Sequence, residues 1–266
     1  MGEMSWVAGF GCVLFDLDGT LYSGDVAKPG APEAVSRVRG LGVRPVFMTN
    51  NSSRTPDGVA EHLRRLGFEA APDEVVTSAT VTAGWLSERQ VASAYVVGGQ
   101  GLREALTAAG VEVCGDGAEP SLTPEVVVIG WDQEVTYDRL RTASIHVQKG
   151  ARLVASNPDR AFPAPDGSRW PGAGALLAAV VATTDAEPEV IGKPHPPMYL
   201  AAREAGGGGR PLVVGDRLDT DIAGAAGLGW DTYLVLWGIT SALELEASDL
   251  RPTRSGPDLD GLFAPG

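Results

Sequence analysis

Short apolar runs alternate along the whole chain with segments whose apolar residues recur at helical spacing. Residues 13–15 and 43–48 are two such runs, and residues 32–39 and 56–66 are the helical segments that follow them. A strand that is buried on both faces is apolar throughout, and a helix that connects two parallel strands covers one face of the sheet. The pattern therefore predicts an α/β fold built around a parallel sheet.

A second series of strand-like and helical segments occupies residues 94–183, ahead of the segment Ile191-Gly192-Lys193-Pro194 and a further apolar run that begins at residue 212. The chain has 266 residues, enough for two domains. We predict that one α/β domain is inserted into another. The outer domain is expected to comprise residues 1–80 and 188–266, and the inserted domain residues 81–187.

Composition excludes several classes of partner. The net charge of −13 and a pI near 4.6 argue against nucleic-acid binding. The sequence has no apolar run long enough to span a membrane and no secretory signal at its start. The two cysteines, Cys12 and Cys114, have no metal-binding or disulfide spacing. We expect a cytoplasmic protein with free thiols and without nucleic-acid or membrane partners.

Polar clusters follow two of the predicted strands. Asp16 and Asp18 follow the first strand, and Thr49-Asn50-Asn51 follows the second. In open α/β sheets, ligands bind at the carboxyl ends of the strands. Neighbouring carboxylates raise each other's pKa unless a cation compensates them, and a hard divalent metal ion is the natural partner. An isolated pair of this kind is also compatible with a simple strand-to-loop turn.

Three more acids, Asp216, Asp219 and Asp221, follow a later strand. Asp219 is explained by a helix N-cap, whereas Asp216 and Asp221 remain to be accounted for. If this strand lies beside the first one, the two acidic loops converge, and such a pocket requires a metal ion. Mg²⁺ suits an all-oxygen set of ligands.

Two further segments have both a functional and a structural explanation. Lys193 lies between Gly192 and Pro194, ahead of a helix predicted to start near residue 196. An isolated lysine is usually a solvated surface charge, but this one is predicted to lie among acidic loops. The segment Thr49-Asn50-Asn51 offers hydroxyl and amide donors to an anion. Alone, it is equally compatible with a turn that holds an asparagine in the left-handed region.

Taken together and in this order, these segments resemble the four motifs of the haloacid dehalogenase (HAD) superfamily. The resemblance implies that Asp16 is a nucleophile that takes a phosphoryl group. It implies that Asp18 protonates the leaving alkoxide and then activates water. The phosphoryl group would be bound by Thr49, Asn50 and Asn51, with Lys193 neutralising charge. The implied Mg²⁺ ligands are Asp16, the backbone carbonyl of Asp18, Asp216 and, in support, Asp221.

The position of the inserted domain narrows the resemblance to one subfamily. Thr20 lies in the first motif and Thr49 in the second, and the chain between them is too short for an inserted domain that forms a lid. The inserted domain, which is the lid, therefore follows the second motif. This arrangement, together with Asn157-Pro158-Asp159, resembles the NagD-type and p-nitrophenylphosphatase-like enzymes of subfamily IIA. It implies a Rossmann-like HAD core with an inserted α/β (C2-type) cap, and a homodimer through the cap.

The substrates implied by this subfamily are small metabolite phosphate monoesters. They include glycerol 3-phosphate, 2-phosphoglycolate, pyridoxal phosphate and nucleotides. The run from residue 214 to 222 is similar to that of actinobacterial glycerol 3-phosphate phosphatases.

Other functions on the same scaffold fit less well. A dehalogenase needs neither Asp18 nor a metal ion, and the lid of a phosphomutase usually lies between the first two motifs. A catalytically silent regulator that binds Mg²⁺ and a phosphorylated metabolite is the alternative from another class. In the cap, Trp131-Asp132 and residues 157–160 either close over the leaving group or form ordinary turns. His146 and His195 lack metal-ligand spacing and are assigned to structure or surface.

Overall fold

The computed structural model describes residues 5–114, 124–163 and 168–266. Strands and helices alternate through these residues, which confirms the predicted α/β class. The strands are, in chain order, β1 (Cys12–Phe15), β2 (Tyr22–Ser23), β3 (Val26–Ala27), β4 (Arg44–Thr49), β5 (Val75–Thr77), β6 (Ser93–Val97), β7 (Glu112–Cys114), β8 (Val126–Ile129), β9 (Arg152–Ala155), β10 (Ala161–Pro163), β11 (Arg169–Pro171), β12 (Glu189–Val190), β13 (Pro211–Gly215), β14 (Asp231–Val235) and β15 (Arg254–Gly256).

The α-helices cover the sheets between these strands. They are α1 (Ala31–Gly40), α2 (Pro56–Arg65), α3 (Ser78–Glu88), α4 (Gln100–Ala108), α5 (Tyr137–Gln148), α6 (Ala173–Thr184), α7 (Pro196–Ala205), α8 (Ala223–Gly227) and α9 (Ala242–Ala247). Most bounds agree with the predicted ones to within a residue or two. Among the described residues, no helix combines the length and apolar character needed to cross a membrane.

The chain divides into two compact units. The first comprises Met1–Thr49, Pro56–Val76 and Lys193–Gly266, and the second comprises Asn50–Thr55 and Thr77–Gly192. The division into units reflects which residues contact one another, and it does not test whether residues 81–187 fold as a separate domain. The predicted inserted domain of residues 81–187 therefore stays a prediction.

The first unit contains a six-stranded sheet in the order β15-β14-β13-β1-β4-β5. Strand β1 lies in its interior and pairs in parallel with β13 and β4, so that Phe15 is opposite Val214 and Phe47. Because parallel strands end at the same edge, the residues that follow these three strands emerge side by side. The register thus brings the two predicted acidic loops together.

The second unit contains a five-stranded sheet in the order β12-β9-β8-β6-β7. The pairings within it are parallel, with Val97 opposite Ile129 and Ile129 opposite Ala155. The loops that follow β6, β8, β9 and β12 consequently share one edge of this sheet.

Apolar side chains fill each unit. In the first unit, Phe15, Phe47 and Leu63 are fully buried in a core that β1, β4 and α2 share. Helix α2 contributes Val59 and Leu63, which lie one turn apart on the same face. In the second unit, Val127 of β8 lies in a separate core. Each sheet therefore has its own apolar support.

Burial should decide how much a leucine contributes to the stability of the first unit. Leu63 on α2 is fully buried, whereas Leu200 on α7 is 49% exposed. We expect Leu63→Ala to lower the free energy of unfolding by about 2 to 5 kcal/mol, because it removes buried methyl groups and leaves a cavity. The control Leu200→Ala should change it by less than about 0.5 kcal/mol. Urea denaturation measures both changes, and equal effects would contradict the assigned core.

Candidate active site

One buried lysine lies between two carboxylates at the carboxyl edge of the first sheet. Lys193 Nζ donates to Asp16 Oδ1 at 2.5 Å and to Asp221 Oδ1 at 2.7 Å. Asp16, Asp221 and Lys193 are all buried, as is Asp216. The structure therefore brings together four of the side chains that the sequence placed in a site.

The local backbone explains why these groups converge. Asp16 directly follows β1, and its N–H donates to Val214 O of β13 at 2.8 Å. Asp216 directly follows β13, where its Oδ2 accepts a hydrogen bond from Ile239 N at 2.7 Å. Asp221 Oδ2 accepts one from Arg217 N at 3.1 Å. The carboxylates of Asp216 and Asp221 are thus oriented by backbone donors, and the main chain of Asp16 is fixed by β13.

Gly19 makes room for Asp216 in this arrangement. Its φ of +92° lies in the left-handed region, and a Cβ at this position would lie 2.3 Å from Asp216 Oδ2. A residue with a side chain would be strained and would clash with the carboxylate. The glycine in the Asp-Leu-Asp-Gly-Thr run is therefore required by the packing of the site.

The charges in the site do not balance. Burial and the charges of Asp16 and Asp221 raise the pKa of Asp216 to about 8. Burial also raises the pKa of Asp221, an effect that the charge of Lys193 opposes. Burial alone would lower the pKa of Lys193, but Asp16 and Asp221 outweigh it, and that pKa lies above its ordinary value. The lysine is charged, so among the described residues of this cluster one positive charge faces three carboxyl groups.

The donor set of this site fits a hard divalent cation. Asp16, Asp216 and Asp221 each offer a carboxylate oxygen, and these oxygen atoms lie within 4.8 Å of one another. All of the side-chain donors are oxygens, the ligand type that Mg²⁺ and Ca²⁺ prefer. A cation here would also offset the excess negative charge that raises the pKa of Asp216. Asp18 is half-buried, and its backbone forms a bridge with Tyr22.

The structure corrects the prediction for Asp219. This residue does not cap a helix; it lies inside a π-helical turn from Leu218 to Ile222 that leads into α8. Its carboxylate binds the guanidinium group of Arg217, at 3.0 Å from Nε and 2.8 Å from Nη2. The N-cap explanation is wrong because the nearby arginine takes the carboxylate.

Thr49 and the residues after it are divided between the two units. Thr49 is the buried last residue of β4 in the first unit, whereas Asn50 and Asn51 belong to the second. Asn51 Oδ1 accepts hydrogen bonds from Ser53 N at 2.9 Å and Ser53 Oγ at 2.7 Å. These bonds form a local turn, and neither asparagine has a positive φ, so the left-handed alternative is wrong. The role of Thr49, Asn50 and Asn51 in binding phosphate stays a prediction.

The candidate residues of the second unit have mainly structural partners. Trp131 stacks on Phe162 with ring centroids 4.1 Å apart, and Asp132 forms a buried ion pair with Arg139 at 2.6 Å. His146 is fully buried beside Tyr95, and burial lowers its pKa. In the first unit, His195 precedes α7.

Sequence reasoning missed two contributors to the first unit's site. The Thr20 hydroxyl lies 3.1 Å from Asp16 Oδ2 and 3.5 Å from Asp216 Oδ1, so it bridges the two acidic loops. Its place in the Asp-Leu-Asp-Gly-Thr run was a signal that it belonged there. Tyr199 on α7 donates to Thr220 O at 2.5 Å and supports the loop of Asp221. No local pattern marks that tyrosine, because the contact joins distant segments.

Comparisons with known proteins decide the family. The model for haloacid dehalogenase-like hydrolases matches residues 13–112, and a HAD-hydrolase-like model matches residues 190–262. An acid sugar phosphatase from Staphylococcus aureus is 39% identical over 254 residues, covering 94% of this chain and 96% of the relative. The chain belongs to the haloacid dehalogenase-like hydrolase family. The Rossmann-like fold predicted from its four motifs is therefore confirmed.

Comparison with solved structures agrees. A glycerol phosphate phosphatase from Mycobacterium tuberculosis, solved in complex with magnesium, is 36% identical with a TM-score of 0.92, covering 99% of this chain and 79% of that one. NagD from E. coli K-12 is 31% identical with a TM-score of 0.84, covering 93% of this chain and 96% of that one. These similarities confirm the predicted NagD-like subfamily and the predicted enzyme class, a HAD-type phosphatase.

Removing one carboxylate should change stability in a pH-dependent way. Folding raises the pKa of Asp216 from 3.8 to about 8 in metal-free protein. The folded state then binds more protons than the unfolded chain between these values, so stability falls as pH rises through this window. We expect Asp216→Asn to be more stable than wild type in EDTA above this window, by on the order of 1 to 4 kcal/mol. The difference should vanish at low pH.

Urea denaturation across this pH range in EDTA measures the difference. Asp219→Asn is the matched control, since this side chain is 70% exposed and a hydrogen bond from Arg217 lowers its pKa. We expect the control to show no gain in stability at high pH. An Asp216→Asn variant that is never more stable than wild type would contradict the charge imbalance described above.

Proposed function

We propose that this HAD-type phosphatase hydrolyses phosphate monoesters of small metabolites through an aspartyl-phosphate on Asp16, with Mg²⁺ bound in the acidic cluster. The observation that supports this most is the buried contact of Lys193 with Asp16 and Asp221, in a cluster that also holds Asp216. A lone structural ion pair needs one acid for each base. This site has two carboxyl groups in excess, which suits a cation, and that cation together with Lys193 would offset the charge of a phosphoryl group.

The first half of the reaction transfers the phosphoryl group to the enzyme. A carboxylate oxygen of Asp16 attacks phosphorus, an O–P bond forms at Asp16, and the bond from phosphorus to the ester oxygen breaks. The carboxyl group of Asp18 gives its proton to that oxygen, so the leaving group departs as a neutral alcohol. Lys193, fixed on the carboxylate of Asp16, stabilises negative charge on the nucleophile and on the phosphoryl oxygens.

The second half releases phosphate. Asp18, now a carboxylate, takes a proton from water as the water oxygen bonds to phosphorus, and the bond between Asp16 and phosphorus breaks. Asp18 returns to its protonated state and Asp16 to its carboxylate. This dual role needs a side chain that can reach solvent, and Asp18 is half-buried whereas Asp16 is buried.

The remaining residues bind the metal ion and the phosphoryl group in this proposal. Asp16, the backbone carbonyl of Asp18 and Asp216 would hold Mg²⁺, with Asp221 in support. Bound Mg²⁺ supplies positive charge that offsets the charge of the phosphoryl oxygens. Thr49, Asn50 and Asn51 would donate hydrogen bonds to the transferring phosphoryl group. That the Mycobacterium tuberculosis relative was solved in complex with magnesium supports this choice of ion.

The names of two relatives support a substrate that carries hydroxyl groups. One of them is an acid sugar phosphatase and another a glycerol phosphate phosphatase. We propose that this chain acts on phosphate esters of small polyols or sugars, with glycerol 3-phosphate among them.

A homodimer is proposed through the second unit, and light scattering that shows only the mass of one chain would exclude it.

The nucleophile and the metal ion can be tested together. Purified protein should hydrolyse 4-nitrophenyl phosphate with Mg²⁺ and stop in EDTA. Asp16→Asn should abolish turnover, because an amide oxygen is not a nucleophile at phosphorus. Asp219→Asn is the matched control, since this carboxylate lies three residues after Asp216 but is 70% exposed and paired with Arg217. It should keep the wild-type rate. Equal turnover by wild type and Asp16→Asn, or full activity in EDTA, would contradict the mechanism.

A screen of metabolite phosphates tests the substrate class. We expect glycerol 3-phosphate or a sugar phosphate to give a kcat/KM above that of 2-phosphoglycolate, pyridoxal 5′-phosphate and nucleoside monophosphates. The measurement is phosphate release at several substrate concentrations. A preference for an aromatic or nucleotide substrate would reject the polyol class and leave the phosphatase chemistry intact.

A further inference from the structure

Residues 50–55 follow β4 of the first unit but belong to the second. Two main-chain donors of the second unit bind this segment. Trp131 N, after β8, donates to Ser52 Oγ at 3.2 Å, and Gly101 N, at the start of α4, donates to Ser53 O at 3.0 Å. The segment therefore lies along the carboxyl edge of the second sheet.

The main chain of Asn50 is held from two sides. Its carbonyl oxygen accepts a hydrogen bond from Ser78 Oγ at 2.6 Å and another from Asn157 Nδ2 at 2.7 Å. Ser78 begins α3, and Asn157 follows β9. Both donors are buried, so the bonds are shielded from competing water. The backbone of Asn50 is thus fixed by residues of the second unit.

The side chain of Asn50 is held as well. Its Nδ2 donates to Asp159 Oδ2 at 2.9 Å. A carboxylate has acceptors only, so the nitrogen end of the carboxamide must face Asp159. The opposite end approaches Gly192, where a Cβ would lie 2.6 Å from Asn50 Oδ1. The hydrogen bond to Asp159 determines the orientation of the amide, and the charged acceptor makes this bond stronger than a neutral one.

We propose that Asp159 is a positioning residue for Asn50, which it orients through this hydrogen bond. The inference rests on the proposed function, in which Asn50 donates to the transferring phosphoryl group. Asp159 does not touch that group in this proposal. Asp159 determines whether the nitrogen or the oxygen of the Asn50 carboxamide is available to the phosphoryl group. An amide turned the other way would offer an acceptor to a phosphoryl oxygen, which is itself an acceptor.

A double-mutant cycle on the full chain tests whether Asp159 acts through Asn50. Turnover of 4-nitrophenyl phosphate with Mg²⁺ gives kcat and KM for Asn50→Ala, Asp159→Ala and the double variant. We expect Asn50→Ala to lower kcat/KM about 100-fold, as the loss of a donor to the reacting group does. Asp159→Ala should lower it about 10-fold, the effect of one hydrogen bond to a charged group. The double variant should be no worse than Asn50→Ala alone.

Two further variants separate positioning from general structure. Asp159→Asn keeps an acceptor oxygen, so it should recover to within about threefold of wild type, given that a neutral hydrogen bond has roughly half the strength. Asp138→Ala removes an acid that is 73% exposed in the same unit and should leave kcat/KM unchanged. For Asn50→Ala and Asp159→Ala, the decrease in kcat/KM should come from kcat and from KM in the same proportion. Thermal melts confirm that each variant is folded.

The outcomes are distinct. An effect of Asp159→Ala that is undiminished in the Asn50→Ala background, or wild-type activity of Asp159→Ala, would overturn the inference while the proposed function stands. Wild-type activity of Asn50→Ala, with Asp16→Asn inactive, would overturn both the inference and the proposed role of Asn50. Loss of the Asp159→Ala effect in the Asn50→Ala background, with recovery in Asp159→Asn, supports it.

Discussion

The contact of Lys193 with Asp16 and Asp221 is the interaction on which the rest of the site depends. A buried carboxylate without a partner is costly, and the lysine compensates only one charge of the cluster. The remaining negative charge raises the pKa of Asp216 and makes the site a strong attractor for a cation. The fold therefore keeps excess negative charge in the site, which a bound metal ion would offset.

The parallel sheet stabilises the unit that carries these buried charges. Strand β1 lies between β13 and β4, and the register places Phe15, Val214 and Phe47 side by side in the apolar core. The polar residues that follow these strands emerge together at one edge, where backbone N–H groups orient the carboxylates of Asp216 and Asp221. Apolar burial beneath the edge stabilises the unit, and the charges above it supply the chemistry.

Much of this was predictable because the signals are local. The apolar runs indicated the strands, and the acids after them indicated the site, since carboxyl ends of parallel strands meet. The prediction for Asp219 failed because side-chain pairing with Arg217 competes with capping, and spacing alone does not decide between them. The contacts of Tyr199 with Thr220 and of Asp159 with Asn50 join segments that are far apart in sequence. Only the three-dimensional structure shows these long-range hydrogen bonds.

We propose above all that Asp16 receives the phosphoryl group. Enzyme quenched during turnover, treated with borohydride and digested would reveal an acyl phosphate, because borohydride reduces it to an alcohol. Mass spectrometry of the peptide that contains residues 12–20 should then show Asp16 converted into homoserine, and only when substrate is present. An unmodified Asp16 during rapid turnover, or homoserine at a different aspartate, would contradict the account.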